Sequence, residues 1–176
     1  MLEVHAANEK LILPKSIITI GAFDGVHRGH QKVIRETVRE SAIEGVQSVV
    51  YTFDPPPRAY FQDAHILTSV KEKIQRFKKL GVDYVVIAPF DESYTKRSPE
   101  SFINELKRLN PKSIRVGEDF RFGKSREGDV DLLKKYFLVQ PIHTVCCTKG
   151  TRISSTRIRE LILEGDIQQT EPLLGW

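Results

Sequence analysis

At 176 residues, 40% of them hydrophobic, the chain is sized for one well-buried domain and is too short for two of ordinary size. No apolar run approaches the ~20 residues of a membrane span, and the N-terminus lacks the order of a secretory signal, so a cytoplasmic protein without membrane contact is expected. The formal net charge of +4 is dispersed along the chain; it suits a polyanionic ligand but forms no basic stripe with stacking aromatics, so nucleic acid is not an expected partner.

After an N-terminal arm, Ser16–Ile20 is a β-branched run of the kind that forms a buried parallel strand. It leads through Gly21-Ala22-Phe23-Asp24-Gly25-Val26-His27-Arg28-Gly29-His30 into a helix marked by Val33, Ile34, Thr37, Val38, Ser41 and Ala42 and stopped at Gly45. His27 and His30 therefore flank a helix start, where backbone N–H groups lack partners and the macrodipole favours an anion. Two imidazoles there can donate to phosphate oxygens that gain charge in a transition state. The competing reading, half of a zinc site, finds Asp24 as the only further ligand type nearby. Gly25 and Gly29 permit a tight turn and close approach to a ligand.

Ser48–Phe53 is the second strand. Asp54-Pro55-Pro56-Pro57-Arg58 cannot continue it and is expected to be a stiff loop leaving the sheet. A helix over 70–80 presents Val70, Ile74, Phe77 and Leu80 and closes at Gly81. Asp83–Ala88 is the third strand. Ser98, Pro99 and Glu100 open the next helix as N-cap, N1 proline and first-turn acid. Ile114–Gly117 makes a fourth strand, followed by a loop over 118–129 and a short helix around Val130–Tyr136. Residues 142–147 read as the fifth strand, which would place adjacent Cys146 and Cys147 on opposite faces; they offer neither a disulfide framework nor a metal motif. A loop over 149–152 then reaches a helix capped by Ser155 or Thr156 and closed near Gly165.

The alternation implies an α/β fold: an open parallel five-stranded sheet with helices on both faces and a single domain over 1–176. In such a sheet ligands bind beyond the carboxyl ends of the strands. The loops carrying His27 and His30, Asp119, and Arg152 through Thr156 would share that edge. There Arg152, Arg159 and the hydroxyl-rich turn can hold phosphates, and Asp119 can hold a metal; the alternative is a helix cap covered by arginines. Neither a P-loop lysine motif nor a Gly-x-Gly-x-x-Gly fingerprint is present. The pattern describes a site that grips a triphosphate and exposes its α phosphorus to a nucleophile, working by positioning and charge stabilisation.

The sequence resembles the nucleotidyltransferase superfamily, whose His-x-Gly-His motif corresponds to His27-Arg28-Gly29-His30. More narrowly, it resembles the FMN adenylyltransferase module of prokaryotic bifunctional FAD synthetases. That match is carried by residues 21–30, Thr52-Phe53-Asp54-Pro55, Val116–Gly123 and Ile153–Arg159. The resemblance implies a Rossmann-like nucleotidyltransferase that uses ATP and FMN, with Mg²⁺, to give FAD and pyrophosphate. It implies His27, His30, Arg152, Ser155 and Arg159 as catalytic groups. Gly21, Ala22, Phe23, Asp24, Gly29, Ser154 and Thr156 would lie around ATP, with Asp119 near the metal. It further implies Phe53, Arg58, Phe120, Arg121 and Phe122 at FMN, with ordinary packing as the alternative for the three phenylalanines. Two departures stand out. Many members carry histidine where this chain has Pro56, and the riboflavin kinase barrel of the bifunctional enzymes would begin near Leu173–Trp176, so no kinase domain is expected here. The rival readings are transfer to another phosphorylated acceptor, and a flavin- or nucleotide-binding module without turnover.

Overall fold

The structure is a computed structural model, and it describes residues 2–7, 10–143, 145–148 and 150–176. The first half of the chain runs β1 (Glu3–Ala6), β2 (Ser16–Ile20), α1 (Arg28–Glu44), β3 (Gln47–Asp54), α2 (Pro57–Gln62), α3 (Val70–Lys79), β4 (Tyr84–Pro89) and α4 (Glu92–Thr95). The second half runs α5 (Pro99–Arg108), β5 (Pro111–Val116), β6 (Arg121–Phe122), β7 (Gly128–Asp129), α6 (Val130–Lys134), β8 (Val139–Pro141), α7 (Ser155–Leu163) and α8 (Ile167–Leu174). Six strands form one sheet in the order β1-β4-β3-β2-β5-β8, and every pairing in it is parallel. The chain enters the middle of the sheet at β2, proceeds outward through β3 and β4, then returns to pair β5 on the other side of β2. The strand order therefore reverses between β2 and β5, which places the ligand crevice beyond their carboxyl ends.

Period-two alternation along the strands feeds a core on each face. Val49, Tyr51, Phe53, Val86, Ala88 and Ile114 pack with Phe102, Ile103 and Leu106 of α5. Val50 and Val85 turn to the opposite face and pack with Ile34 of α1 and Phe77 of α3. A third cluster joins Ile153, Ile158 and Leu161 to Leu173, seating α7 and α8 beside the carboxyl edge.

The caps follow their sequence signals. Gly45 takes φ 64° at the end of α1, Ser69 and Glu72 form a capping box on α3, and the Ser98 hydroxyl accepts from Ser101 N–H with Pro99 at N1. Four expectations are corrected. A short edge strand, β1, pairs with β4, so the sheet has six strands and not five. The last strand lies at Val139–Pro141, not over 142–147; there Cys146 only bridges Arg152, and Thr144 lies outside the described residues, as does Lys149 of the loop that follows. The proline segment is not wholly a loop, because Pro57 opens α2 from the N1 position, where a missing N–H costs nothing. Residues 118–129 contain the β6–β7 hairpin.

Candidate active site

The turn after β2 is built from unusual backbone. Gly25 has φ 82°, as a glycine readily does, but Phe23 and Val26 also lie at positive φ, 48° and 38°. For a β-branched residue such as Val26 this is strained. Its carbonyl is held in place by Gln31 Nε2 at 3.0 Å and by the Trp176 indole N–H at 2.8 Å. The strain delivers His27 to the N-cap of α1, where its Nδ1 accepts the N–H of His30 at 3.4 Å. With Nδ1 acting as acceptor, the neutral ring carries its proton on Nε2.

The glycine between the histidines makes room for a ring. A Cβ at Gly29 would come within 3.1 Å of His27 Cε1 and Nδ1, so glycine gives that imidazole room to lie over the helix start. His27 and His30 stack with centroids 3.6 Å apart, and Phe23 meets His30 edge-on at 5.2 Å. Burial pushes the His27 pKa down to about 4, with Arg152 adding to the effect and Asp24 opposing it. His30 is held well below the ordinary imidazole range by burial first, then by His27 and Lys73. Both rings are therefore neutral near pH 7. The Nδ1 of His30 is enclosed without a partner among the described residues, which leaves Nε2 as the ring atom available to a ligand.

The start of α7 closes on this turn. Ser154, not Ser155 or Thr156, is the N-cap, accepting from Arg157 N–H. The Ser155 hydroxyl instead donates to the Asp24 carbonyl at 2.8 Å. Arg159 reaches the Asp24 carboxylate at 2.5 Å and donates from Nε to the His65 carbonyl at 2.7 Å. Asp24 is 2% exposed and also accepts from Leu67 N–H and Thr68 N–H at 3.0 and 3.1 Å. Its carboxylate is thus spent on protein groups, tying the loop before α3 to α7.

These segments line one cleft of about 720 Å³, within the usual range for a small-molecule site. The cleft brings together His27, His30, Arg152, Ser155 and Arg159 with Gly21, Ala22, Phe23, Asp24, Gly29, Ser154 and Thr156. The end of β5 contributes Asp119 and Phe120, while Pro56, Pro57 and Arg58 form the opposite wall. Arg58 hydrogen-bonds Thr156 across the mouth.

Three residues expected at a flavin lie elsewhere. Phe53 and Phe122 are core residues, 6% and 8% exposed, packed edge-on to Tyr51 and tilted against Phe102 respectively. Arg121 donates to the Phe120 carbonyl and lines a separate depression with Asp129 and Lys134. Strand parity explains the first: Phe53 shares the inward face with Val49 and Tyr51. Conversely, Glu118 and His143 line the cleft unforeseen. Lys73 was also missed, although a charge within the apolar stripe Val70, Ile74, Phe77 is a readable anomaly.

A family model for FAD synthetase matches residues 9–157. The chain belongs to the FAD synthetase family. It is 55% identical over 175 residues to a putative bifunctional riboflavin kinase/FMN adenylyltransferase of Geobacillus thermodenitrificans, covering 99% of this chain and 98% of that protein. It is 37% identical to the bifunctional riboflavin kinase/FMN adenylyltransferase of Escherichia coli K12 over 90% of this chain, but spans only 54% of that protein. A crystal structure described as a macrolide-efflux protein from Streptococcus pneumoniae matches with a TM-score of 0.82 and 28% identity, over 99% of this chain and 62% of that one. The FAD synthetase match includes His27–His30, the end of β5 and most of the Arg152–Arg159 segment, the parts that converge on the cleft.

Proposed function

We propose that this chain transfers the adenylyl group of ATP to the terminal phosphate of FMN, releasing pyrophosphate and forming FAD. The observation that carries the reading is the meeting of two strand-end segments, residues 21–30 and 117–120, with residues 152–159 at the start of α7, around one cleft beside two helix N-termini. A phosphate oxygen of FMN attacks the α phosphorus as the bond from that phosphorus to the bridging oxygen of pyrophosphate breaks. Negative charge then shifts onto the leaving pyrophosphate. The Nε2–H groups of His27 and His30 donate to phosphate oxygens, most strongly as that charge develops, while Arg152 and the first N–H groups of α7 orient the β and γ phosphates. Neutral imidazoles suit this role because they donate without trapping the departing anion as an ion pair.

Arg159 acts differently from an open phosphate clamp. Its ion pair with Asp24 fixes the guanidinium at the cleft wall, so it presents only its remaining N–H groups. Phe120 and the Pro56–Pro57 wall offer apolar contact to the flavin, and Arg58 exchanges Thr156 for the FMN phosphate.

The donor set fits a magnesium ion held largely by substrate. Among the described residues no group of three or more His, Cys, Asp or Glu is arranged to hold a metal, whereas Asp119 and Glu118 are exposed in the cleft. Mg²⁺ characteristically takes one or two carboxylates and completes its shell with phosphates and water. Asp119 is the residue that would hold it. Bound there, Mg²⁺ supplies neutralisation of polyphosphate charge.

The reaction is tested by incubating the protein with ATP, Mg²⁺ and FMN while following flavin fluorescence and chromatographic formation of FAD. Quenching with equimolar FAD and pyrophosphate is expected. Folded protein that consumes neither substrate, or that adenylylates a different phosphorylated acceptor in preference to FMN, refutes the assignment. Among the described residues no helix is long and apolar enough to cross a membrane, and the cytoplasm, where ATP is at hand, is the compartment proposed for this chemistry.

A further inference from the structure

Lys73 occupies the core-facing side of α3 and is 1% exposed. Its ammonium donates to the Phe53 carbonyl at 2.9 Å and to the Ala22 carbonyl at 3.3 Å. The Ala22 carbonyl also accepts the Thr52 hydroxyl at 3.0 Å. One buried cation therefore ties the end of β3 to the turn after β2.

A buried ammonium is costly unless compensated. Two carbonyl dipoles compensate part of its charge. Asp24 and Asp54 act on it from farther off, and Asp24 is already paired with Arg159. Among the described residues Lys73 makes no ion pair. We propose that Lys73 is a positioning residue of the phosphate site: it fixes the Ala22 turn and supplies, close to His30, a positive charge that the bound polyphosphate neutralises. The inference rests on the adenylyl-transfer reading for its substrate and deepens it.

The surroundings of His30 agree with this placement. It is faced by His27 at the start of α1 and by Lys73 from α3, and both oppose its protonation. Beyond them Asp24, Asp54 and Arg152 are the charged groups acting on Lys73 or His27. Lys73 thus adds to burial and His27 in holding the His30 ring neutral.

Lys73→Met preserves the hydrophobic stem and removes the charge. In a variant whose near-ultraviolet circular dichroism matches the parent, inorganic pyrophosphate is expected to bind about tenfold or more weakly. The His30 ring resonance should titrate at higher pH, and the pH profile of kcat/KM for ATP should shift with it while KM for FMN holds. A purely structural side chain would move none of these readouts in a folded variant. Parent-like pyrophosphate affinity with an unshifted His30 titration overturns the proposal. Should Lys73→Met fail to fold, ¹⁵N-lysine spectra of the parent decide: pyrophosphate is expected to displace the Lys73 Nζ signal and raise its titration, and an unmoved signal overturns the proposal. A parent protein that binds pyrophosphate yet forms no FAD sinks the acceptor assignment instead, and leaves Lys73 to be judged on binding alone.

Discussion

Replacing Asp24 by Asn removes one charge at nearly constant volume and tests how the two walls of the cleft are joined. The asparagine carbonyl can still accept from Leu67 and Thr68 N–H, but its amide then turns donors toward the Arg159 guanidinium. Arg159 would be left with its side chain 11% exposed and without a counter-charge. Breaking a buried pair by removing one partner costs about 3–5 kcal/mol. The residual exposure and the Arg159 contact with the His65 carbonyl at 2.7 Å favour the lower part of that span. At ~2.1 cal/mol/K per residue the unfolding entropy gives about 2.7 °C per kcal/mol, so the melting temperature should fall by about 8–11 °C. Calorimetry at neutral pH measures it directly. Adding Arg159→Met to Asp24→Asn should recover part of the loss, since the stranded charge disappears. A melting temperature within about 2 °C of the parent, or strict additivity in the double variant, would refute the view that this pair fastens α7 to the turn after β2.

Three further outcomes follow from the same geometry. Folding lowers the His27 pKa from 6.5 to about 4, so between those values the unfolded chain binds the extra proton; stability is full above about 6.5 and declines toward pH 4, by about 3 kcal/mol for this group. Urea midpoints at pH 7.5 and 4.5 read the decline, which should shrink in His27→Gln; equal declines in both proteins would contradict it. His30→Ala should reduce kcat by about 10²–10³ while changing ATP affinity only a few-fold, because its donation is strongest in the transition state; matched losses in steady-state and binding measurements would assign it to ground-state binding. Gly123→Ala forces a side chain onto φ +74° and sets its Cβ 2.8 Å from Pro99 Cγ, so a stability loss of about 1–3 kcal/mol is expected, and an unchanged melting curve would count against it.

The sequence signals that proved readable are those in which one local cause decides the outcome. A β-branched run, a serine three residues before a free N–H, a proline at N1 and a glycine after a helix each act within one turn, and α1, α3, β3, β4 and the start of α5 appear close to where those signals put them. The His27–His30 turn was legible as a helix start for the same reason. Partnerships across the chain were not. β1 is strand only because β4 offers an open edge, and residues 142–147 have strand composition but lie past the point where β8 pairs with β5. Side-chain allegiance was likewise hidden: Ser155 and Arg159 turn to Asp24, and Phe53 faces inward by strand parity. Of Phe53, Phe120 and Phe122, Phe120 alone reaches the cleft, a distinction that residue type does not show.

The stacked histidines set a limit on how charge enters the pocket. Two imidazolium rings 3.6 Å apart would repel by about 5 kcal/mol at an effective dielectric near 20, enough to separate their acid titrations into two macroscopic steps. With both rings neutral near pH 7, acidification loads the stack one proton at a time, so the pocket gains its positive charge in separate steps and never in a single jump.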